Sequence, residues 1–351
     1  MIQFQCDYAE GAHEKVLQKL VETNLEQTVG YGMYPYCEAA RDRIREICRT
    51  PEADVHFLVG GTQTNTTVIA AALRPYEGVL SADSGHINVH ETGAIEACGH
   101  KVLSLPSKDG KITAGQVETY YNLHMSDDSS EHMVKPGMVY ISQPTELGTL
   151  YTKTELEALY TVCRENGLFL FVDGARLGYG LMASDCDMIL PELAANCDVF
   201  YIGGTKVGAL FGEAVVINHP ALKKDFRYMI KQKGGMLAKG RLLGIQFLAL
   251  LEDDLYFEIS AHADRLAEKM REAFRAAGVP FLVESHTNQV FAILPDEALE
   301  KLGREYCFSY QQRMDDTHSA VRFCTSWATT EENVDRLCKS IADLPAAALQ
   351  K

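Results

Sequence analysis

Basic side chains are scarce in this 351-residue sequence, in which 33 Lys and Arg stand against 48 Asp and Glu and give a formal net charge of -15 at pH 7. Binding to a nucleic-acid backbone or to an anionic membrane surface needs clustered Lys and Arg. Long apolar runs are also missing: no stretch reaches the roughly 18 residues of a membrane-spanning helix. The acidic start, MIQFQCDYAEGAH, lacks the basic and apolar regions of a signal peptide. We therefore expect a cytoplasmic protein with no nucleic-acid or membrane partner.

Closely spaced cysteine pairs are absent, although the chain contains ten cysteines. No C-x-x-C occurs, and that spacing is typical of structural zinc sites. Most of the cysteines lie among apolar neighbours, as buried thiols do. A disulfide framework would be unusual in a cytoplasmic chain of this size. We expect reduced structural cysteines and no metal site.

Short apolar segments alternate with amphipathic stretches over much of the chain. The strand candidates are VHFLV (55–59), GVLSA (78–82), KVLSL (101–105), MVYIS (138–142), LFLFV (168–172), VFYIG (199–203) and AVVIN (214–218). This alternation is typical of a parallel sheet flanked by helices. It predicts an α/β fold with a mostly parallel sheet of about seven strands.

The pattern divides the chain into three segments. Residues 1–48 hold two helical patterns separated by the loop TVGYGMYP, and we expect them to pack on the large domain. Residues 49–237 carry the strand candidates and form that large domain. Residues 238–351 begin with a long helical pattern, 238–277, with acidic residues in its middle. Short strands and a terminal helix follow, so we expect a linking helix and a small C-terminal α+β domain.

Four stretches with chemically functional side chains lie at the ends of strand candidates. They are VGGTQTNTT (59–67), SADSGHINVHETGA (81–94), DGAR (173–176) and YIGGTKVGALFG (201–212). The carboxyl ends of strands in an open α/β sheet converge where ligands bind. We therefore expect these stretches to lie close together in space.

The first stretch is a strand that leads through Gly60 and Gly61 into a helix. Glycines let an anion approach the backbone, and a helix N-terminus offers unpaired N–H groups. The stretch is not a P-loop, because no G-K-S/T follows at the required spacing. It predicts either a phosphate site or an ordinary turn.

The second stretch places His86 and His90 four residues apart, so on a helix they would share one face. That spacing resembles half of a metal site, but no third ligand is evident. A flat imidazole equally suits stacking on a planar ligand. The alternative is two surface histidines.

The third and fourth stretches supply charged groups. Asp173 and Arg176 directly follow an apolar strand candidate, and they are either site residues or an ion pair that closes a loop. Lys206 follows a strand and a Gly-Gly turn. A lysine with a pKa near 10.4 is neutral in only about 1 in 2,500 molecules at pH 7, so a Schiff-base lysine needs burial or a cationic neighbour. The apolar setting of Lys206 favours this role.

Together the four stretches indicate a pyridoxal phosphate site. A phosphate-binding helix start, a ring-stacking histidine, an aspartate at a strand end and a lysine one strand-helix-strand unit later are the parts that this cofactor needs. Asp173 would pair with the pyridinium nitrogen. Opposite unit charges about 4 Å apart attract by about 4 kcal/mol at an effective dielectric of 20. A ring that stays protonated in this way withdraws electrons.

With the motifs GT, H-I-x-x-x-E-x-G-A, DGAR and T-K-x-G in this order, the sequence resembles the fold-type I pyridoxal phosphate enzymes, and within them the L-threonine aldolase and β-eliminating lyase family. The resemblance runs from DYAEGAH to VRFCTSWATT, nearly the whole chain. It implies an aspartate aminotransferase-like fold whose large domain binds the cofactor. It also implies a homo-oligomer, a dimer or a tetramer, with active sites near the subunit interface.

The resemblance implies a role for each cofactor residue. Gly61 and Thr62 would hold the phosphate, Thr205 would also contact the cofactor, and Lys239 would reach the phosphate from a neighbouring subunit. The remaining roles are ring stacking by His86, pairing with the ring nitrogen by Asp173 and covalent attachment by Lys206.

The resemblance also implies that Arg176 and Arg322 bind the substrate carboxylate. The sequence departs from the family at several positions. The segment SQPTELGTLYT (142–152) contains no histidine, whereas many threonine aldolases have an E-N-T-H-type segment there. This version is more similar to the phenylserine aldolase branch. Cys6 replaces a serine that contacts the carboxylate, and His90 replaces a tyrosine.

We therefore expect retro-aldol cleavage of a β-hydroxy-α-amino acid, of the threonine, allo-threonine or phenylserine type, to glycine and an aldehyde. The candidates for the base that takes the β-hydroxyl proton are His90, His86 and a bound water. Three alternatives stay open. They are an aminotransferase, although the N-P-T-G segment typical of many is missing, another β-eliminating lyase such as a cysteine desulfurase, and a non-catalytic ligand-binding relative.

Overall fold

The computed structural model describes residues 1–344. The strands are β1 (Ile2–Gln3), β2 (Asp54–Leu58), β3 (Glu77–Ala82), β4 (Val102–Leu105), β5 (Lys135–Ser142), β6 (Phe169–Asp173), β7 (Val199–Gly203), β8 (Glu213–Ile217), β9 (Gln289–Pro295), β10 (Tyr306–Cys307), β11 (Ser309–Arg313) and β12 (His318–Cys324). The α-helices are α1 (Glu14–Glu22), α2 (Pro35–Cys48), α3 (Gly61–Ala72), α4 (His86–Val89), α5 (Ala94–Ala97), α6 (Ala114–Ser126), α7 (Lys153–Glu165), α8 (Leu177–Met182), α9 (Leu190–Ala195), α10 (Pro220–Lys223), α11 (Phe226–Gln232), α12 (Arg241–Leu251), α13 (Leu255–Ala276), α14 (Asp296–Leu302) and α15 (Glu331–Ala342). Up to residue 344, no helix is long and apolar enough to cross a membrane.

The predicted strand candidates form one seven-stranded sheet in the order β2-β8-β7-β6-β5-β3-β4. Five strands run parallel from β7 through β6, β5 and β3 to β4. Strand β8 is antiparallel to both of its neighbours, β2 and β7. The prediction of a mostly parallel seven-stranded sheet is confirmed.

The structure around strand β6 explains why its sequence is a continuous apolar run. Leu170 and Val172 point into one apolar cluster, whereas Phe171 points into the cluster on the other face of the sheet. All three side chains are buried. A central strand with helices on both faces has no polar side, so its sequence is a continuous apolar run.

The long helical pattern at 238–277 corresponds to two helices and not to one linking helix. Helices α12 and α13 are separated by a 3-10 turn at Glu252–Asp254. Asp253 and Asp254 have φ angles of 51° and 57°, in the left-handed region that ends a helix. Aspartate enters this region more readily than most residues. The apolar spacing continues across the break, so periodicity alone predicted a single helix.

A small antiparallel sheet in the order β11-β12-β9 lies in the C-terminal part. Its own apolar cluster includes Phe274 of α13, Phe323 of β12 and Leu337 of α15. The first residues of the chain join this region. Strand β1 pairs with β10, and Phe4 is buried in the same cluster. Helices α1 and α2 contact α12 instead, beside the large sheet.

Candidate active site

The predicted functional stretches meet at the carboxyl ends of adjacent parallel strands. Asp173 is the last residue of β6, Lys206 follows the end of β7, and His86 begins α4 after β3. Strands β3, β5, β6 and β7 are consecutive neighbours in the sheet. The topology therefore brings an acid, an amine and an imidazole to one edge.

Three donors fix the carboxylate of Asp173, which is only 5% exposed. Oδ2 accepts from the Tyr140 hydroxyl at 2.5 Å and from Asn65 Nδ2 at 3.2 Å, and Oδ1 accepts from the Ala175 backbone N–H at 3.0 Å. Burial and the nearby Asp173 charge raise the pKa of Tyr140 well above its ordinary value. Tyr140 therefore remains a phenol and keeps donating its proton.

Glu91 holds the ring of His86. Nδ1 of His86 lies 2.8 Å from Glu91 Oε1, and the Glu91 side chain is fully buried while that of His86 is 35% exposed. Burial opposes protonation of His86, but the hydrogen bond to Glu91 and the charge of Asp173 together raise its pKa. Asn65 Nδ2 also donates to Glu91 Oε1 at 2.8 Å, which links the two carboxylates. The imidazole is thus held at a fixed orientation with part of its surface free.

His90 lies beside His86 at the C-terminal end of α4. The two ring centroids are 5.6 Å apart with an interplanar angle of 54°. The His90 side chain is exposed. Partial burial, followed by the positive charges of His86, Arg322 and Lys206, lowers its pKa. His90 is therefore mainly neutral near pH 7.

Lys206 is the amine of the site. Its side chain makes no hydrogen bond or ion pair with the described residues, although its backbone carbonyl accepts from the Tyr179 hydroxyl at 2.5 Å. Burial first, and then the charge of Arg176, lower the pKa of Lys206, while the carboxylates of Asp7 and Asp173 oppose that change. A lower pKa increases the neutral, nucleophilic fraction of the amine.

Glu213 supports the loop that carries Lys206. Its Oε1 accepts from the Thr205 hydroxyl at 3.0 Å, and its Oε2 accepts from the Gly204 backbone N–H at 3.2 Å. The Thr205 hydroxyl in turn accepts from the Gly212 N–H at 2.9 Å. Burial raises the pKa of Glu213 to about 8. The Thr205 hydroxyl thus uses its proton and one lone pair within the protein, and its contact with the cofactor stays a prediction.

Gly61 and Thr62 lie in the first turn of the twelve-residue helix α3, as the phosphate prediction requires. A Cβ atom added at Gly61 would lie 3.2 Å from the Tyr201 hydroxyl, whereas one added at Gly60 would meet open space. The Tyr201 hydroxyl is buried and has no hydrogen-bond partner in residues 1–344. The helix start therefore combines unpaired N–H groups with room for an anion.

Arg176 forms its ion pair with Asp7 and not with Asp173. Its Nε and Nη2 donate to the two Asp7 oxygens at 2.6 and 3.0 Å, and Asn288 Nδ2 donates to Oδ2 at 2.9 Å. Burial alone would raise the pKa of Asp7, but the charges of Arg176 and Lys206 outweigh it and lower that pKa to about 2. Arg176 keeps both N–H groups of Nη1 and one of Nη2 for a further ligand.

Arg322 extends from β12 toward the same region. Its Nη1 donates to Gln289 Oε1 and its Nη2 to the Gln5 carbonyl, both at 3.2 Å. Its Nε is buried and has no partner among the described residues. Cys6 is half-buried beside Asp7. Lys239 is exposed and shares no hydrogen bond or ion pair with these groups anywhere in residues 1–344.

Several site residues were missed by sequence reasoning. Tyr140, Asn65 and Glu213 are buried polar side chains inside strands or helices, and only Asn65 lies within a quoted stretch, where it received no role. Asp7 begins the segment DYAEGAH and stands next to Cys6, but it received no role. Glu91 belonged to the quoted motif but received no role. A search for polar residues within otherwise apolar strands would have found Tyr140 and Glu213.

The donor set fits pyridoxal phosphate. A fixed buried carboxylate suits a protonated ring nitrogen, and the free amine of Lys206 suits a carbonyl carbon. The start of α3 suits a phosphate, and the exposed part of His86 suits a ring face. In the described structure each of these groups still has a free donor, acceptor or ring face. The fit therefore does not require any of them to break an existing ion pair.

Comparisons with known proteins agree on one family. The model of the family described as "Beta-eliminating lyase" matches residues 3–297. A low specificity L-threonine aldolase of Pseudomonas aeruginosa is 31% identical over 346 residues, which cover 97% of this chain and 96% of that relative.

Solved structures extend the comparison. A Leishmania major threonine aldolase is 43% identical with a TM-score of 0.95, over 97% of this chain and 99% of that one. A Thermus thermophilus aspartate aminotransferase double mutant is 16% identical with a TM-score of 0.70, over 97% and 91% of the two chains. At that identity the likeness shows the fold alone. The predicted aspartate aminotransferase-like fold with a small C-terminal α+β domain is confirmed.

Proposed function

This chain belongs to the beta-eliminating lyase family, and from that premise we propose that it is an aldolase that cleaves a β-hydroxy-α-amino acid to glycine and an aldehyde. The proposed substrates are L-threonine, L-allo-threonine or phenylserine. The relatives described as threonine aldolases support the general part of this proposal, which is cleavage of threonine. The segment SQPTELGTLYT supports a bulky or aromatic β-substituent.

One observation carries the proposal: a buried carboxylate with three fixed donors and an amine without a partner lie at the ends of neighbouring strands. Asp173 and Lys206 are close enough for the charge of Asp173 to raise the pKa of that amine against burial. An ordinary structural pair would have closed into a salt bridge. The arrangement instead leaves both groups free to bind one molecule between them.

Pyridoxal phosphate, when bound, supplies an electron sink for the bond that breaks. Lys206 would hold the cofactor through Nζ, and Asp173 would keep a proton on the ring nitrogen. His86 would pack on the ring, and the backbone N–H groups of Gly61 and Thr62 would hold the phosphate. Thr205 would contact the cofactor through the remaining lone pair of its hydroxyl, which Glu213 and Gly212 hold in place.

Arg322 is the better placed of the two arginines to bind the substrate carboxylate. Its Nη1 and Nη2 give one N–H each to Gln289 and Gln5, so each keeps a second N–H for a carboxylate. Arg176 already gives two N–H groups to Asp7, so it would contribute through Nη1. Cys6 would be a weak donor at most. Two guanidinium groups would fix the carboxylate and thereby orient the Cα–Cβ bond.

The test is product analysis with L-threonine, L-allo-threonine, L-serine and L-phenylserine. We expect equal amounts of glycine and aldehyde from one or more of them after pyridoxal phosphate is added. Pyruvate or sulfide as the main product would identify another β-eliminating lyase, and amino transfer to 2-oxo acids would identify an aminotransferase. A colourless protein that does not respond to the cofactor would favour a ligand-binding relative.

We propose further that the active form is a homo-oligomer, a dimer or a tetramer, with Lys239 of one subunit reaching the phosphate of another. Apolar side chains in the loop after α1 are exposed: Leu25 by 92%, Val29 by 67% and Met33 by 61%. This loop touches the one that carries Lys239, because the Tyr31 N–H donates to the Ala238 carbonyl. Sedimentation of the wild type should show an oligomer, and a monomer with full activity would contradict the proposal.

A further inference from the structure

Glu146 is a further carboxylate at the edge of the site. It follows the end of β5, in the segment SQPTELGTLYT, and its side chain is partly buried. Oε1 accepts from the Ser142 hydroxyl at 2.7 Å and from the His86 backbone N–H at 2.9 Å. Two donors from two elements therefore hold one oxygen in place.

The second oxygen of Glu146 is free. Throughout the described chain Oε2 accepts no hydrogen bond, and it is not among the fully enclosed polar atoms without a partner. It is therefore at least partly accessible. A carboxyl with one oxygen fixed and the other open has the geometry of a proton acceptor.

The surroundings of Glu146 connect it to the reacting groups. Its partner Ser142 lies 3.5 Å from the Tyr140 hydroxyl, which donates to Asp173. Its other partner is the backbone of His86, whose ring would cover the cofactor. Burial raises the pKa of Glu146; the charge of Asp173 adds to this effect, and the Ser142 hydroxyl opposes it. A carboxylate with a raised pKa is a stronger base near neutral pH.

We propose that Glu146 is a catalytic residue of the aldol cleavage and that its Oε2 accepts the proton of the substrate β-hydroxyl. This inference rests on the proposed function. The O–H electron pair becomes the C=O bond of the leaving aldehyde, and the Cα–Cβ pair stays with the amino-acid half. That half takes up a proton at Cα and leaves as glycine, and Glu146 releases the proton it accepted. No oxidant, reductant or co-reactant is needed.

The two histidines are less suited to this step. His86 Nδ1 is occupied by Glu91, and the free part of its ring is committed to stacking. His90 is exposed at the end of α4, and its side chain makes no hydrogen bond within residues 1–344. The raised pKa of His86 favours its protonated ring, whereas Glu146 combines a fixed position with a free acceptor atom.

The main test is Glu146→Gln, which keeps an oxygen to accept from Ser142 and His86 but removes the base. We expect kcat for cleavage to fall about 100-fold or more, the usual contribution of general-base catalysis. Exchange of the glycine α-proton with deuterium does not involve a β-hydroxyl, so its rate should change less than about twofold. The dissociation constant of pyridoxal phosphate, measured by titration of the apoprotein, should also stay the same.

Two further variants separate catalysis from structural support. Glu165→Gln makes the same change at an exposed position of α7 and should leave cleavage unaltered. Glu146→Asp keeps the acid but shortens the side chain, so it should cleave faster than Glu146→Gln. A structural role would give the opposite order, because Gln has the shape of Glu.

Three results would overturn the inference: unchanged cleavage in Glu146→Gln, parallel loss of cleavage, glycine exchange and cofactor affinity, or a Gln variant faster than the Asp variant. A wild type that releases no glycine from any substrate would overturn the proposed function and, with it, this inference. A wild type that cleaves, together with an undiminished Glu146→Gln, would remove only Glu146.

Discussion

The carboxyl end of the large sheet and the core of the small C-terminal domain bury their side chains in different ways. At the sheet end, Asp173, Glu91 and Glu213 are buried carboxylates within a hydrogen-bond network. In the small domain, Phe274 and Phe323 belong to an apolar cluster that needs no polar partners. The buried polar groups at the sheet end are positioned for the proposed reaction but destabilise the fold. The apolar cluster of the small domain stabilises the fold and supplies no reacting group.

The cost at the sheet end is visible in single atoms. Glu91 Oε2 and the Tyr201 hydroxyl are buried without a hydrogen-bond partner in the described chain. Each such group destabilises a fold by roughly 1–3 kcal/mol. Apolar packing elsewhere offsets this. The comparison therefore predicts that substitutions at the sheet end change turnover and that substitutions in the small domain change stability.

The largest expected effect is that of Lys206→Ala, which removes the amine proposed to bind the cofactor covalently. Cleavage should fall to background, and the visible absorbance that appears when pyridoxal phosphate binds the wild type should not form. Lys224→Ala, at an exposed position, is the matched control and should behave as the wild type. Native absorbance in the Lys206 variant would contradict the assignment.

The next effect separates two buried aspartates of the same sheet. Asp173→Asn removes a charge worth about 4 kcal/mol at 4 Å and a dielectric of 20, so kcat/KM should fall about 1,000-fold. Asp198, at the opposite end of the sheet, accepts from the Leu170 N–H at 2.7 Å. Asp198→Asn should alter the unfolding midpoint and leave turnover near normal. Equal losses of turnover in both variants would contradict the predicted difference between the two ends of the sheet.

A smaller effect is expected from the small domain. Leu337 of α15 is fully buried in its apolar cluster. Leu337→Ala should destabilise the protein by about 2–5 kcal/mol in urea unfolding, because it leaves a cavity. The kcat of the remaining folded protein should stay close to wild type. Val21→Ala, where the side chain is 75% exposed, should cost less than about 0.5 kcal/mol.

The smallest effect compares two imidazoles in the large domain. His86 has a carboxylate partner, whereas Nε2 of His56 is buried without any partner up to residue 344. Burial, together with the charge of Arg41, lowers the pKa of His56 to about 3. The unfolded chain binds a proton at this position below pH 6.5, but the folded chain does not until about pH 3. The stability due to neutral His56 is therefore complete above pH 6.5 and is lost as pH falls toward 3.

That loss has a slope of about 1.4 kcal/mol per pH unit for one group. His56→Phe should therefore remove about 1 kcal/mol of the difference between urea unfolding at pH 7.5 and at pH 5.5. His132→Phe, at an exposed position, serves as the control. An unchanged pH difference in the His56 variant would show that the pKa of this imidazole is the same in the folded and the unfolded chain.

The sequence predicted the sheet well because its strands are apolar on both faces, as β6 illustrates. It located Asp173 because this residue ends an apolar strand, and it located His86 and Lys206 because each follows a strand and a glycine-containing turn. It did not predict the Arg176 ion pair, since Asp7 lies 169 residues away along the chain. The break at Asp253 was also missed, because apolar spacing continues across it. Local pattern determines where an element lies, whereas side-chain partners depend on the tertiary structure.

The pairing of Asp7 with Arg176 has a practical consequence for protein engineering. Strand β1 and Phe4 attach the start of the chain to the small domain, and Asp7, three residues beyond Phe4, reaches an arginine of the large domain. Substitutions among these first residues would therefore shift a guanidinium without altering any group that reacts. These first residues are therefore a starting point for directed evolution of substrate affinity. They are remote from the reacting groups in sequence but are joined to the proposed site by one buried ion pair.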